Sequence, residues 1–360
     1  MKLVVLAQIP PPVHGQSVMV GLLVAGLPAH GLAVHHVPLA LSRDSADVGR
    51  WRWGKVPATV GAALRAIGAR LAGHGDTLYY VPAPPGRRGA LWRDWVILGL
   101  CRPFFPRLVL HWHAVGLGAW LATSATSLER WLSHWLLGGA DLAIVLSPAL
   151  RADAVRFAPR ACAVVPNGVP DPGPGAPPPS GGPFHLLFLG LGGVEKGLFA
   201  AAEAVLAANR QAGRPAFRLT AAGPFADDAS RERFGALVAA HPGVLAQVGE
   251  VAGEAKAQLW AACHALCLPT AYPAEGLPLV VLEALARDRP VLGTAWRALP
   301  DAVDASVGRL VAPGDPEGLL AALLDLRDHP PAAGAARARY LARYTPAAHL
   351  GALAEALRRV

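Results

Sequence analysis

Midway along this 360-residue chain, Asp171 to Pro183 holds six prolines and four glycines. Such a run can neither sustain a helix nor pair as an inner strand, because proline lacks an N–H and glycine loses the most backbone freedom on ordering. It reads as a linker between two halves of roughly 170 residues, each an ordinary size for one domain. On either side of it, short apolar runs alternate with helical patterns. Lys2 to Ala7 reads as the first strand, with a helix expected over Val18 to Leu27, and Phe184 to Leu189 reads as a strand of the second half. Strand and helix taken in turn predict parallel strands joined by crossover helices. The expected fold is therefore α/β, with two doubly wound domains over residues 1–170 and 184–344, a 171–183 linker, and a helix within 345–360 crossing back to the first domain. No sequence repeat relates the two halves.

The most specific chemical signal is Tyr-Pro-Ala-Glu-Gly-Leu-Pro-Leu-Val-Val-Leu-Glu over residues 272–283. Pro278 suits a first helical turn, because its fixed φ fits and its missing N–H would be unpaired there anyway. A helix beginning near Pro278 leaves Glu275 in the preceding loop and puts Glu283 roughly 8 Å further along. The amides around Gly276, Leu277 and Leu279 then fall between two carboxylates. Unpaired N–H groups and the positive end of the helix dipole favour a phosphate there, while each carboxylate can accept hydrogen bonds from vicinal hydroxyls. A sugar, a diphosphate and a ribose fit that order. A bare Glu-x7-Glu is more often an amphipathic helix with two solvated glutamates, so context has to decide.

Part of that context is the glycine loop that follows Phe184 to Leu189, with Gly190, Gly192 and Gly193 leading to Lys196. Strand, glycine loop and helix is how doubly wound folds present phosphate-binding backbone, and a lysine there supplies a point charge. Lysine is scarce, four residues against twenty-nine arginines, which sets Lys196 apart from incidental surface charge. The loop matches neither G-x-x-x-x-G-K-[ST] nor G-x-G-x-x-G, so a plain βα turn stays open. Ala163 to Pro170 reads as a short strand ending in an Asn167-Gly168 turn. Near the N-terminus, Ile9 to Ser17 forms a loop containing His14, Gly15 and Gln16, with Ser17 placed to cap the following helix. His14 is as readily a loop residue satisfied by backbone as a catalytic group. Asp94 is expected to cap or to pair with Arg93, and Glu195 to be a solvated neighbour of Lys196.

Taken together, these segments resemble the retaining glycosyltransferases of the GT-B fold known as family 4, among the group 1 glycosyl transferases, and in particular the bacterial surface-polysaccharide type. The resemblance runs along nearly the whole chain in the family's order. Pro11 to Ser17 is similar to the N-terminal glycine loop, and Leu110-His111-Trp112-His113 to the strand ending in an active-site histidine. Asp141 to Ser147 and Val165 to Val169 look like the next strands, Gly190 to Gly197 like the donor-phosphate loop, and Leu268 through Ala286 like the signature block. The last block is highly specific and the others are individually modest. One departure is clear: many members carry an arginine after the first glycine of the phosphate loop, where this chain has Leu191.

The resemblance implies two Rossmann-like domains facing across a cleft, the first receiving the acceptor and the second a nucleoside-diphosphate sugar. It gives Glu275 to hydroxyls of the donor sugar and Glu283 to the ribose, and lines the donor or acceptor side with His113. The loop of His14, Gly15 and Gln16 would approach the reacting centre. Lys196 and the helix start at Gly276, Leu277, Pro278 and Leu279 remain to hold the leaving phosphate. Retention of configuration is likewise implied, by front-face attack in which the leaving phosphate helps take the acceptor proton. A double displacement needs opposed carboxyls about 5 Å apart, which Glu275 and Glu283 do not suggest. The sequence contains no Asp-x-Asp, and His111 with His113 is a pair without a third ligand, so neither metal nor cofactor is expected. Two other classes stay open. They are a GT-B protein that binds a nucleotide sugar without transferring it, supported by Leu191, and a nucleotide-sugar epimerase.

Composition adds compartment and partners. Hydrophobic residues make up 53% of the chain and charged ones 16%, yet the apolar stretch Val18 to Leu41 is broken by Pro28, Pro38 and three histidines. Leu132 to Leu150 fits a helix, a Gly-Gly turn and a strand better than a span. Four cysteines sit among apolar neighbours without zinc spacing, as buried thiols of a reducing cytoplasm do. Residues 1–170 hold 16 Lys+Arg against 7 Asp+Glu, while residues 171–360 are nearly balanced. Eight of the ten tryptophans share that basic half, including Trp51, Trp53, Trp92 and Trp95. Arginine attracts anionic headgroups and tryptophan favours the interface, so this half is a candidate for peripheral contact with the inner face of a membrane, which suits a saccharide or lipid-linked acceptor. Core packing of the tryptophans is the alternative. No zinc-finger spacing, RNP motif or basic repeat points to nucleic acid.

Overall fold

In this computed structural model, which describes residues 1–39, 55–173, 175, 177 and 179–360, twelve parallel strands form two sheets. The chain divides into two compact units: Met1–Gly168 with Ala274–Leu277 and Pro346–Val360, and Val169–Pro273 with Pro278–Thr345. The Pro/Gly-rich run thus counts with the second unit, and the loop carrying Glu275 with the first. Trp51 and Trp53 lie outside the described residues, as does the end of the Val18 to Leu41 stretch.

The first unit is built on β1 (Lys2–Ala7), β2 (Ala33–Pro38), β3 (Thr77–Tyr80), β4 (Arg107–Trp112), β5 (Leu142–Val145) and β6 (Ala161–Val164), in spatial order β2-β1-β3-β4-β5-β6. Leu3, Val4, Val5 and Leu6 are wholly buried, as an inner parallel strand covered on both faces requires. Helix Pro346–Arg358 packs here too. Its Leu350, Leu353, Ala354 and Leu357 join Leu3, Val5, Val20 and Leu23 in one core, and Arg358 donates to the His30 carbonyl at 2.6 Å.

The second unit repeats the architecture with β7 (Phe184–Leu189), β8 (Phe217–Ala222), β9 (Leu245–Gln247), β10 (Ala265–Leu268), β11 (Val291–Thr294) and β12 (Gly308–Val311), ordered β12-β11-β10-β7-β8-β9. Continuous apolar runs make β1 and β7 coincide with the ranges read from sequence.

One helix start differs from expectation, and the one expected near Pro278 falls a single residue later. The first helix spans Gly15–Gly26 and is capped by His14, not Ser17. The imidazole Nδ1 accepts the Ser17 N–H at 3.2 Å while Ser17 Oγ accepts the His14 N–H at 3.1 Å, a reciprocal capping box with histidine in the cap role. Pro278 stands just outside the helix Leu279–Ala286, as an extended cap with ψ 125°. No described helix is long and apolar enough to cross a membrane. All four cysteines are free thiols, and burial pushes Cys101 and Cys267 up to about 12.

Candidate active site

Within the second unit, connections leave β7 and β10 toward opposite edges of the sheet, and open α/β sheets bind ligands outside the strand ends at such a switch point. The two loops that emerge there are Gly190–Gly197 and the turn after Leu268. They are fastened together: the Ala271 N–H donates to the Glu195 carbonyl at 2.8 Å, and Thr270 Oγ1 lies 3.4 Å from the same oxygen. Gly197 has φ 82°, and a Cβ on it would collide with the Pro269 carbonyl, so only glycine closes this junction. Lys196 sits beside it, its Nζ 4.8 Å from the centroid of the Tyr272 ring, a cation–π arrangement that restrains the ammonium where the two loops meet.

Contrary to a phosphate-cradling role for their amides, Gly190 and Gly192 have their N–H groups taken up within the protein. The Gly190 N–H donates to the Ala222 carbonyl at 2.9 Å and the Gly192 N–H to the Pro224 carbonyl at 2.7 Å, tying the loop to the end of β8. Gly193 packs where a Cβ would lie 3.1 Å from that of Ala226. Glu195 is exposed, as read from sequence, and Leu191 is exposed as well.

No side chain caps the helix Leu279–Ala286, so its first turn presents backbone N–H groups with the positive end of the dipole. Glu283 lies in its second turn. Lys256 Nζ stands 2.8 Å from one carboxylate oxygen of Glu283 and 2.7 Å from the other, with both side chains largely shielded from solvent. Sequence reading missed Lys256, because it comes from a separate helix, Gly253–Ala262, and only its rarity as a lysine could have drawn attention.

The first unit assembles a different kind of surface. The loop Ala274–Leu277 is fixed from two sides. Asn167, buried at the turn after β6, donates from Nδ2 to the Leu277 carbonyl at 3.1 Å, which gives the Asn-Gly turn a holding role. Gly276 lies so close to the end of β4 that a Cβ would strike the His113 carbonyl. Glu275, on this loop, is 5% exposed.

Next to it, four histidines cluster. His111 and His113 project from the end of β4 with ring centroids 4.1 Å apart, and His14 and His349 are near enough to act on His113 electrostatically. Hydrogen bonds assign the tautomers of His14 and His349. Tyr79, whose phenol is held protonated by burial, is hydrogen-bonded to His111 Nδ1. His14 accepts the Ser17 N–H at Nδ1, which leaves its proton on Nε2. His349 donates from Nδ1 to the Pro166 carbonyl at 2.7 Å, which leaves a lone pair on Nε2. The Nε2 atom of each of the four is buried without a protein partner. Burial depresses all four imidazoles, and neighbouring rings add to it at His111 and His113, His113 going down to about 3. At neutral pH the cluster is therefore uncharged and offers both N–H donors and lone pairs, which suits hydroxyl groups better than anions. His349 was invisible to sequence reading, because it reaches the cluster from the last helix.

Of the residues singled out from sequence, Gly190, Gly192, Gly193, Lys196, Pro278, Leu279 and Glu283 thus belong to the second unit, and His14, Gly15, Gln16, His113, Glu275, Gly276 and Leu277 to the first. Asp94 is a structural residue: buried, it accepts from Tyr80, the Ala83 N–H and Arg93. Among the described residues, no group of three or more His, Cys, Asp or Glu side chains is placed to hold a metal ion.

Residues 183–329 match the family model described as "Glycosyl transferases group 1". No curated protein matches the sequence. Among solved structures, a sucrose-phosphate synthase from Thermosynechococcus elongatus superimposes with TM-score 0.75 at 20% identity, covering 100% of this chain and 99% of that one. The Anabaena protein HepE in complex with UDP-glucose gives 0.72 at 17% over the whole of both chains. The lipopolysaccharide outer core galactosyltransferase WaaB gives 0.70 at 13%, over 100% and 99%. At these identities the likeness is one of fold. The whole chain thus has the two-domain GT-B fold of these structures, and its residues 183–329 are similar to the group 1 glycosyl transferases.

Proposed function

We propose that the protein is a retaining, metal-independent transferase that moves a hexose-type sugar from a nucleoside-diphosphate sugar to a saccharide or lipid-linked saccharide, in the synthesis of a cell-surface polysaccharide or glycolipid. The observation that carries this reading is the junction in the second unit, where Lys196 is held over Tyr272 between two loops at the switch point of the sheet. Departure of a nucleoside diphosphate builds negative charge on its β-phosphate. An ammonium and an uncapped helix start are the groups that stabilise such charge, and both act most strongly where water is excluded. Glu283, steadied by Lys256, is the acceptor for ribose hydroxyls, and Glu275 for hydroxyls of the sugar.

Metal independence rests on the absence of Asp-x-Asp and on this alternative way of meeting the phosphate charge. Retention and front-face attack come from the likeness to family 4. HepE with UDP-glucose and WaaB as a galactosyltransferase of lipopolysaccharide make a UDP-hexose and a surface glycan reasonable choices of donor and product. The site of action is the cytoplasmic side of a membrane, with the basic first half toward it.

Leu191, standing where relatives carry a phosphate-binding arginine, favours one other reading, a protein that binds a nucleotide sugar without transferring it. Thermal stabilisation by UDP, GDP, ADP and their sugars, with and without EDTA, tests the binding reading. Selective, EDTA-insensitive stabilisation lost in Glu283→Ala is the expected result. Donor consumption with a saccharide acceptor then separates transfer from binding alone, and activity without any acceptor would mark an epimerase.

A further inference from the structure

Helix Ser127–Leu137 has two faces of unlike kind. Ser133, Leu136 and Leu137 are buried against the body of the first unit, while Leu128, Trp131 and Trp135 are 63%, 61% and 63% exposed. At about 100° per residue these three fall within an arc of roughly 60° along about 10 Å of helix. The two indoles stack on each other, with centroids 5.8 Å apart and planes 8° from parallel. Tryptophan is highly buried on average, so a stacked pair held out on a firmly packed helix calls for an occupant.

The surroundings say which. At the start of the helix, Arg88 pairs with Glu129 at 2.8 Å and Arg130 is exposed. At its end, Arg102 donates to the Leu136 and Gly138 carbonyls, each at 2.7 Å. Glu129, the one acidic residue of the helix, is taken up by Arg88, so Arg130 near its start and Arg102 at its end leave net positive charge around the helix, in the half of the chain that carries nine excess positive charges. Three side chains are too few for a stable dimer, which buries on the order of 800 Å² per partner. Indole flanked by arginine is instead what the boundary between lipid and water selects when the headgroups are anionic.

We propose that this face of helix Ser127–Leu137 docks the protein on an anionic lipid bilayer, with Leu128, Trp131 and Trp135 entering the headgroup layer and the bordering arginines meeting lipid phosphates. The inference rests on the proposed placement of the basic first half toward a membrane and names the surface that makes the contact; its test uses no sugar nucleotide, so its failure leaves the transfer reading untouched. Full-length protein is sedimented with phosphatidylcholine vesicles made with and without phosphatidylglycerol. Wild type is expected to pellet with the anionic vesicles and to be released by salt. Trp131→Ser combined with Trp135→Ser should lower the partition coefficient roughly tenfold or more, and Leu128→Ser alone a few-fold, since each removes apolar surface from the same stripe. The proposal is overturned if wild type stays in the supernatant, or if the variants pellet like wild type. Sedimentation velocity without lipid gives a further check: a wild-type dimer that the tryptophan variant converts to monomer would also overturn it.

Discussion

Replacing Gly276 by alanine adds a single methyl group, and the structure says where it goes. The new Cβ runs into the His113 carbonyl oxygen and comes 3.2 Å from Leu146 Cδ1. Leu146 can shift a rotamer, but the carbonyl is that of the residue directly after β4, an inner strand paired on both sides, which limits its retreat. The loop Ala274–Leu277 has to move instead, against the grip of Asn167 on Leu277. Overpacking of this kind costs about 1–3 kcal/mol. For a unit of this size that is a fall in Tm of about 2–10 °C. The functional effect is the larger one, because Glu275 is the neighbour of Gly276. A displacement of order 1 Å in a positioning group costs about 10²-fold in turnover. Release of nucleoside diphosphate from the sugar donor is the assay, with calorimetry alongside. The affinity for free nucleoside diphosphate should fall less than turnover does, because Lys196, Leu279 and Glu283 lie outside the displaced loop. Leu146→Ala added to the variant should not restore turnover, since the clash is with backbone. Wild-type turnover in Gly276→Ala would falsify this account of how the loop is held.

Lys196→Ala should lower turnover by about 10²-fold, the usual scale for one donor to a developing negative charge, and an unchanged rate would refute its role. Lys256→Met leaves Glu283 without the ammonium that orients it and should weaken nucleoside-diphosphate affinity roughly tenfold by calorimetric titration; unaltered affinity would remove Glu283 from the ribose site. Acid should destabilise the first unit before its carboxylates titrate. His113 is depressed to about 3 in the folded protein against an ordinary value near 6.5, so between those values the unfolded chain binds the extra proton. Stability is then complete above about pH 6.5 and falls steadily as pH drops toward 3, and a flat Tm between pH 7 and 5 would contradict the buried cluster. Tyr79→Phe strands a buried ring nitrogen on His111 and should cost about 1–3 kcal/mol in denaturant unfolding, well above the effect of removing an exposed hydroxyl.

Both sheets were legible in the sequence because a parallel strand covered on both faces must be apolar throughout, and Leu3 to Leu6 and Leu186 to Leu189 are. The Lys196 loop and the helix after Glu275 were legible for a related reason: a close backbone approach needs glycine, as at Gly197 against Pro269, and Pro278 marks a helix start. The helix after β1 was misplaced because its cap is an imidazole acting as an acceptor, a use of histidine that no propensity announces. Partners that arrive from far along the chain could not be read at all. Lys256 and His349 join their sites through tertiary folding, and nothing local marks them. Trp131 and Trp135 were ambiguous for another reason: their i, i+4 spacing is that of a core stripe, and only the packing of Ser133, Leu136 and Leu137 reveals which side of the helix faces inward.

Helix Pro346–Arg358 sets an order of events during synthesis. The apolar side of β1 and of helix Gly15–Gly26, made first, is covered by Leu350, Leu353, Ala354 and Leu357, made more than 300 residues later. A nascent chain on the ribosome therefore carries an unfinished first core throughout translation of the second unit, whose own strands are all in hand by Val311. The later-made unit can close before the earlier one does. Until helix Pro346–Arg358 emerges, the surface around Leu3, Val20 and Leu23 is what a chaperone would have to shield, and a ribosome stalled before that helix would hold a chain whose earlier-made core is still open.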